Sequence, residues 1–385
     1  MAEILDLIED WAGYHVLNDR KHDETYARKM IEAESLLTNA KGMASHRWEY
    51  ELREALGTAD FPYLFGDVLD RQLLADYKAV EPVWKAFTKT STVRRIHPQV
   101  GGYRFAIYGG DQYLDLVGQK GEYLASQRDE LRYQITVYKR GRQFDISWEA
   151  MINDDLGALN DTPMRFAKAA VRTEHRIVTG LYAGNFGAHV EGHGGFLYEA
   201  AINAFVDLLT IGNLENAVQR MMEFTDIGGE PIMTNPKYLV VPPALKFTAM
   251  QILTSANKMW VATGDTDVAA APYPTNNVIS QEGIVLIVDP YLPVMDTTDG
   301  DTGWYLFCAP GDLAALEFAH LQGHESPEIA MKASDKVSTG GGAASPFSGD
   351  FATDNVFYRV RHVSGGTALD WRATYMGGAV NAIGG

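Results

Sequence analysis

The sequence predicts an α+β chain assembled from three unlike blocks, and three observations predict it. A strand-rich stretch (87–148) alternates apolar and polar residues with period two. One long amphipathic helix follows (162–182), and then a block in which helices and strands alternate (199–325). Charge divides along the same lines. Lys85 to Arg142 holds 11 Lys and Arg against 5 Asp and Glu, a net of +6. Glu199 to Ala330 holds 4 against 17, a net of −13.

Residues 2–57 read as helices with narrow apolar stripes. Tyr26, Ala27, Met30, Ile31 and Leu37 form one stripe, and Trp48, Leu52, Ala55 and Leu56 form another beyond Gly42. Neither stripe folds alone, so both are expected to dock on something. MAEILDLIEDW carries acid where a secretory signal needs base, so it is not read as a signal.

In DFPYLFGDVLDRQLLADYKAVEPVW, Pro62 and Pro82 bracket a short helix from about Leu64 to Tyr77. Tyr63, Phe65, Tyr77 and Trp84 are either anchors for a chain crossing another surface or local packing within one subunit.

In the strand-rich stretch, Tyr103, Phe105 and Ile107 share one face of a ladder, and Leu131, Tyr133, Ile135 and Val137 share one face of a second. After Gly141 the phase slips to Phe144, Ile146 and Trp148, which predicts a bulge. Gly109, Gly110, Gly118 and Gly121 lie between the ladders. The stretch reads as a two-stranded arm with a flexible end, and such a ribbon needs a surface to pack on.

DTPMRFAKAAVRTEHRIVTGLY gives the long helix, with Thr162 as N-cap and Pro163 at the first helical position. Ala167, Ala170, Val171, Val178, Leu181 and Tyr182 form its apolar face. His189 and His193 stand four apart, but five glycines from Gly184 to Gly195 argue for a loop rather than a metal-binding helix.

In the acidic block, 201–209 and 214–224 read as helices, Lys237 to Val241 as a strand, and ALKFTAMQILTS as a helix. GIVLIV (283–288) and WYLFCA (304–309) read as buried strands. DTTDGDTG (296–303) lacks the EF-hand pattern and reads as a solvated turn. VFYRVRHV (356–363) and ALDWRATY (368–375), separated by Ser364 to Thr367, read as a hairpin turning at Gly365 and Gly366.

Composition and motifs narrow the function. The net charge of −17 argues against a general nucleic-acid binder. The single cysteine, Cys308, excludes an internal disulfide or a Cys-rich metal site. No run approaches the ~20 apolar residues of a membrane span. Phosphate-loop, dinucleotide, GxSxG and HExxH motifs are absent, so no catalytic, cofactor or metal residue is assigned.

The order of parts resembles the major capsid proteins of tailed bacteriophages with the Hong Kong 97 fold. DFPYLFGDVLDRQLLADY, NPKYLVVPPALKFTAMQIL, WYLFCAP and VFYRVRHVSGGTALDWR resemble phage head subunits locally, nearest to the Mu-type major head subunit. The resemblance covers about residues 60–385 and implies a division. Residues 1–59 are an N-terminal helical extension, 60–86 an N-arm and 87–148 a long β-hairpin, the E-loop. Residues 149–198 open the peripheral domain with its spine helix, 199–325 form the axial domain, and 326–385 return as peripheral-domain strands.

The same resemblance implies a non-enzymatic subunit that assembles with itself into hexamers and pentamers of an icosahedral shell. That shell encloses double-stranded DNA, non-specifically, and is built in the host bacterial cytoplasm, with scaffold, portal and decoration proteins as further partners. An encapsulin-like compartment and a soluble α/β enzyme are the alternatives. The expected inter-subunit contacts are Arg128, Arg132, Arg140, Arg142 and Lys120 on the arm, with Tyr63, Phe65 and Trp84 as aromatic anchors. Some members cross-link an E-loop Lys to a peripheral-domain Asn. Lys120 and Asn355 lie in comparable regions, but no matched motif carries that role over. Residues 1–57 resemble the scaffolding segment that some members lose, and here no cleavage is expected.

Overall fold

A computed structural model of the chain describes residues 73–78, 82–96, 103–107, 117, 130–147, 156–183, 197–199, 202–226, 230–232, 234–260, 273–332, 334–336 and 349–378. The expected extension (1–59), Tyr63, Phe65, Lys120, Arg128, His189 and His193 lie outside the described residues. Helix and sheet are mixed, as an α+β chain requires. The chain forms two compact units. One comprises Met1–Ala79, Gly141–Lys168 and Pro327–Arg361; the larger comprises Val80–Arg140, Ala169–Ser326 and His362–Gly385.

The larger unit is built on two sheets. In the first, β5 (Ala204–Phe205), β14 (Thr374–Gly377), β10 (Trp304–Cys308), β6 (Pro236–Val241) and β9 (Val285–Val288) lie side by side in that order. The central strand β10 is buried at all five positions, which is why WYLFC reads as an unbroken apolar run. β9 is the edge strand, and Val285 is exposed, so GIVLIV is buried only in part. In the second sheet, β1 (Lys89–Val93) pairs parallel with β11 (Leu316–Leu321). β11 then pairs antiparallel with the start-to-end run Leu316↔Ala368 to His320↔Ser364 of β13 (Val356–Ala368).

That last strand corrects an expectation. No hairpin turns at Gly365: β13 runs straight through 356–368. The glycines serve close approach instead. A Cβ on Gly365 would sit 2.1 Å from the Thr136 carbonyl oxygen, and one on Gly366 would sit 2.8 Å from Leu181 Cδ1.

Helix α1 (Leu156–Tyr182) has 27 residues and starts six before Thr162, so Pro163 lies inside it rather than at its first position. A proline there cannot donate to the Leu159 carbonyl, a local weakness that the length of the helix on both sides tolerates. In the larger unit the helix buries Val171, Glu174, His175, Val178, Thr179 and Tyr182. The core continues through Trp84, Phe87, Leu239, Trp304, Tyr305, Phe307, Phe318 and Tyr375. Phe87 stacks on Phe307 at 4.7 Å and meets Tyr182 edge-on at 5.7 Å.

α2 (Ile211–Met222) is capped by Thr210, whose Oγ1 accepts from Asn213 N at 3.2 Å. Residues 202–209, within the stretch expected as a helix over 201–209, are not helical. Asn203, fully buried, accepts from Glu199 N at 2.9 Å and donates to Leu197 O at 2.8 Å, so its side chain closes the backbone into a turn before β5. α3 (Lys246–Thr254) follows β6, as the sequence predicts.

In the smaller unit, β12 (Glu328–Met331) pairs antiparallel with β13 from Glu328↔Arg361 to Met331↔Tyr358. β4 (Tyr138–Ile146) also pairs with β13. β4 runs through Gly141, where a Cβ would meet the Val360 carbonyl oxygen at 2.4 Å, so close approach of β13 calls for glycine there. Phe144 stacks on Tyr358 at 5.0 Å and tilts against Phe166 at 5.1 Å.

Candidate functional site

Within the expected arm, 87–148, the described residues include one two-stranded ribbon. β2 (Tyr103–Ile107) and β3 (Glu130–Gln134) pair antiparallel from Tyr103↔Gln134 to Ile107↔Glu130, and among the described residues neither pairs with any other strand. Five pairs in two strands bury too little to hold themselves in water. Arg132 lies on β3 opposite Phe105.

The roots of the expected arm belong to the larger unit. Phe87 sits in its core and β1 in its sheet. The ladder breaks after Gln134, and Ile135 and Val137 are buried with Val93, Ala319 and Val363. This buried foot fixes the base from which β2 and β3 leave.

The expected contact residues separate into two groups. Trp84 is not a surface anchor: it is fully buried and lies 4.6 Å from Phe318, ring to ring. A large flat indole contributes more inside its own core than at a surface. Arg140 is also engaged at home. One terminal nitrogen donates to Ser364 O at 2.6 Å, its guanidinium lies 5.7 Å from the Tyr138 ring, and burial lowers its pKa. Arg142, by contrast, is exposed. Asn355 donates to Asp145 Oδ2 at 2.9 Å.

The larger unit also exposes apolar residues that sequence reasoning missed. Phe247 is 70% exposed and Met250, one turn on along α3, is 46% exposed. The short helix Val278–Gln281 packs against α3 and exposes Val278. In the sequence these residues look like core; the fold shows that, among the described residues, nothing covers the face carrying them.

Two buried polar clusters lie in the same unit. Asp289, fully buried, accepts from Thr179 Oγ1 at 2.7 Å, Tyr182 Oη at 2.5 Å and Tyr291 N at 2.8 Å, and His175 Nε2 lies 3.0 Å from its other oxygen. Burial pushes the Asp289 pKa up, but His175 and the two hydroxyls outweigh it and hold the carboxylate below its usual range. Burial and the same carboxylate hold Tyr182 well above the usual phenol range. This group ties α1 to the end of β9, and its reacting atoms are sealed from any substrate.

The second cluster is Glu174 on α1, His320 on β11 and His362 on β13, whose ligand-capable atoms all lie within 4.8 Å of one another. No sequence spacing announces it, because each residue comes from a different element. Among the described residues it is the set that could hold a metal ion. Cys308 is no nucleophile: burial, then Asp312, push its thiol up to about 12. The Asp296 loop is partly buried rather than solvated, and Asp296 Oδ1 accepts from Thr298 N and Asp299 N at 3.0 Å each, an Asx turn. No described helix is long and apolar enough to cross a membrane.

Comparison with known proteins adds the following. A family described as phage capsid protein matches residues 132–377. No curated protein matches the chain. Among solved structures, a chain from Gordonia phage Cozz is 15% identical with a TM-score of 0.45, covering 76% of this chain and 84% of that one. The capsid of Myoviridae phage XM1 gives 10% identity and a TM-score of 0.40, covering 74% and 88%. The holo-SrpI encapsulin complex from Synechococcus elongatus gives 10% and 0.42, covering 78% and 88%.

Proposed function

Since the chain belongs to the phage capsid protein family, we propose that its ribbon arm and exposed apolar faces join copies of it into hexamers and pentamers of an icosahedral shell. It is a major capsid protein, a structural component of the virion. The order of arm, long helix, α/β block and returning strand is that of the Hong Kong 97 fold. In that reading β2–β3 is the E-loop, α1 the spine, and the sheet around β10 the axial domain. Within the family, the local resemblance of stretches such as VFYRVRHVSGGTALDWR favours a Mu-type head subunit.

The observation that carries the reading is the ribbon with no third strand among the described residues, rooted in a buried foot. Its neighbour in the shell supplies the surface it lacks. The arm's basic excess suits the acidic block of an adjacent copy, and each exposed pair contributes only ~0–1 kcal/mol. Closure around a shell multiplies such contacts, because each arm ties two neighbours. The shell encloses double-stranded DNA, which the net-negative chain holds loosely, and it forms in the host bacterial cytoplasm.

Deleting Gly109 to Gln127 tests this. The shortened protein is expected to stay soluble with the wild-type circular dichroism spectrum and to form no closed particles by negative-stain electron microscopy. Normal particle yield would show that the arm does not drive assembly. Nucleic acid inside wild-type particles from infected cells supports the virion reading; enclosed protein cargo without it would instead make the shell a compartment.

A further inference from the structure

We propose that Glu174, His320 and His362 form a structural zinc site that clamps α1 onto β11 and β13. His362 Nε2 and Glu174 Oε1 already stand 2.8 Å apart, and the two imidazole rings are 5.6 Å apart between centroids. A four-coordinate zinc with ligands at about 2.0–2.1 Å places donor atoms roughly 3.3 Å from one another. Small side-chain rotations therefore bring the three donors, now within 4.8 Å, around one ion.

The pocket also holds more polar atoms than it satisfies. His320 Nδ1 and Ser364 Oγ are buried and have no hydrogen-bond partner among the described residues, and Ser364 lies directly opposite His320 in the β11–β13 register. Two imidazoles and a carboxylate form the donor set that zinc prefers; calcium and magnesium favour oxygen ligands. His320 is only partly buried, which leaves an entry path and room for water as the fourth ligand. Phe318, edge-on to His320 at 5.1 Å, walls one side and limits rotation of that ring.

The inference does not rest on assembly, so it is tested on the untagged, full-length subunit. After dialysis against EDTA and then zinc chloride, elemental analysis is expected to find one zinc per chain. The melting temperature is expected to rise by about 3–5 °C at a hundredfold excess over the dissociation constant. His320→Gln keeps the Glu174–His362 hydrogen bond, and should weaken zinc binding about tenfold or more and remove the rise. If that variant fails to fold, cobalt(II) titration of the wild type decides by the visible absorption of a tetrahedral nitrogen–oxygen site. No bound zinc and an unchanged melting temperature in the wild type would overturn the proposal. So would full zinc retention by His320→Gln, or cobalt(II) that stays octahedral.

Discussion

At the scale of single residues, the chain keeps its costliest polar groups where charge and hydrogen bonds cancel the burial. Asp289 is the clearest case. Its carboxylate meets two hydroxyls, a backbone N–H and His175 in a site closed to water. Its folded-state pKa lies below the unfolded value of about 3.9. The stability it adds is therefore present above about pH 4 and is lost as pH falls through the lower folded value. Asp289→Asn should cost about 1–3 kcal/mol at pH 7, because the amide cannot accept at both positions. In thermal melts the gap between variant and wild type should narrow as pH falls below about pH 4. A gap that stays the same at pH 3 would mean that the group acts through shape and not through charge.

At the scale of elements, the glycines of β13 decide how much can pack against it. Gly365 stands with its would-be Cβ 2.1 Å from a backbone oxygen, Thr136 O, which no side-chain rotation can move. Gly365→Ala should therefore push the arm's foot off β13 and destabilise by about 1–3 kcal/mol. Urea denaturation would read this as a lower midpoint with an unchanged slope, whereas an unaffected midpoint would show that the foot shifts freely. The same glycines explain what sequence could and could not reveal. Period-two alternation found β2, β3 and β4, the 3.6-residue stripe found α1, and the solid apolar run found β10, because each signal is local. Ser364–Gly365–Gly366–Thr367 read as a turn because glycine has the same letter whether it permits a bend or a close neighbour. Trp84 read as an outward anchor because burial is set by Phe318, far along the chain. The Glu174–His320–His362 cluster was invisible for that reason too: three elements must meet before it exists.

At the scale of the whole molecule, two electrostatic terms of opposite sign act on assembly and fall off over different ranges. The net charge of −17 makes any two copies repel over the distance between their centres. The +6 stretch and the −13 stretch attract where they touch. The Debye length is about 30 Å at 0.01 M salt, about 10 Å at 0.1 M and about 3 Å at 1 M. Moderate salt thus removes the long-range repulsion first and leaves pairs at contact distance largely intact; high salt weakens those as well. Association measured by light scattering should therefore rise from 0.01 M to about 0.1 M salt and fall again towards 1 M. Replacing Arg128, Arg132 and Arg142 by Glu turns the contact term repulsive too. That variant should associate poorly at low salt and gain steadily with added salt, losing the fall at the high end. Arg140 is left out of the set because its bond to Ser364 O serves the subunit's own fold. If the wild type gained with salt throughout, the copies would be held by apolar faces such as Phe247 and Met250, and the arm's charge would matter only for approach.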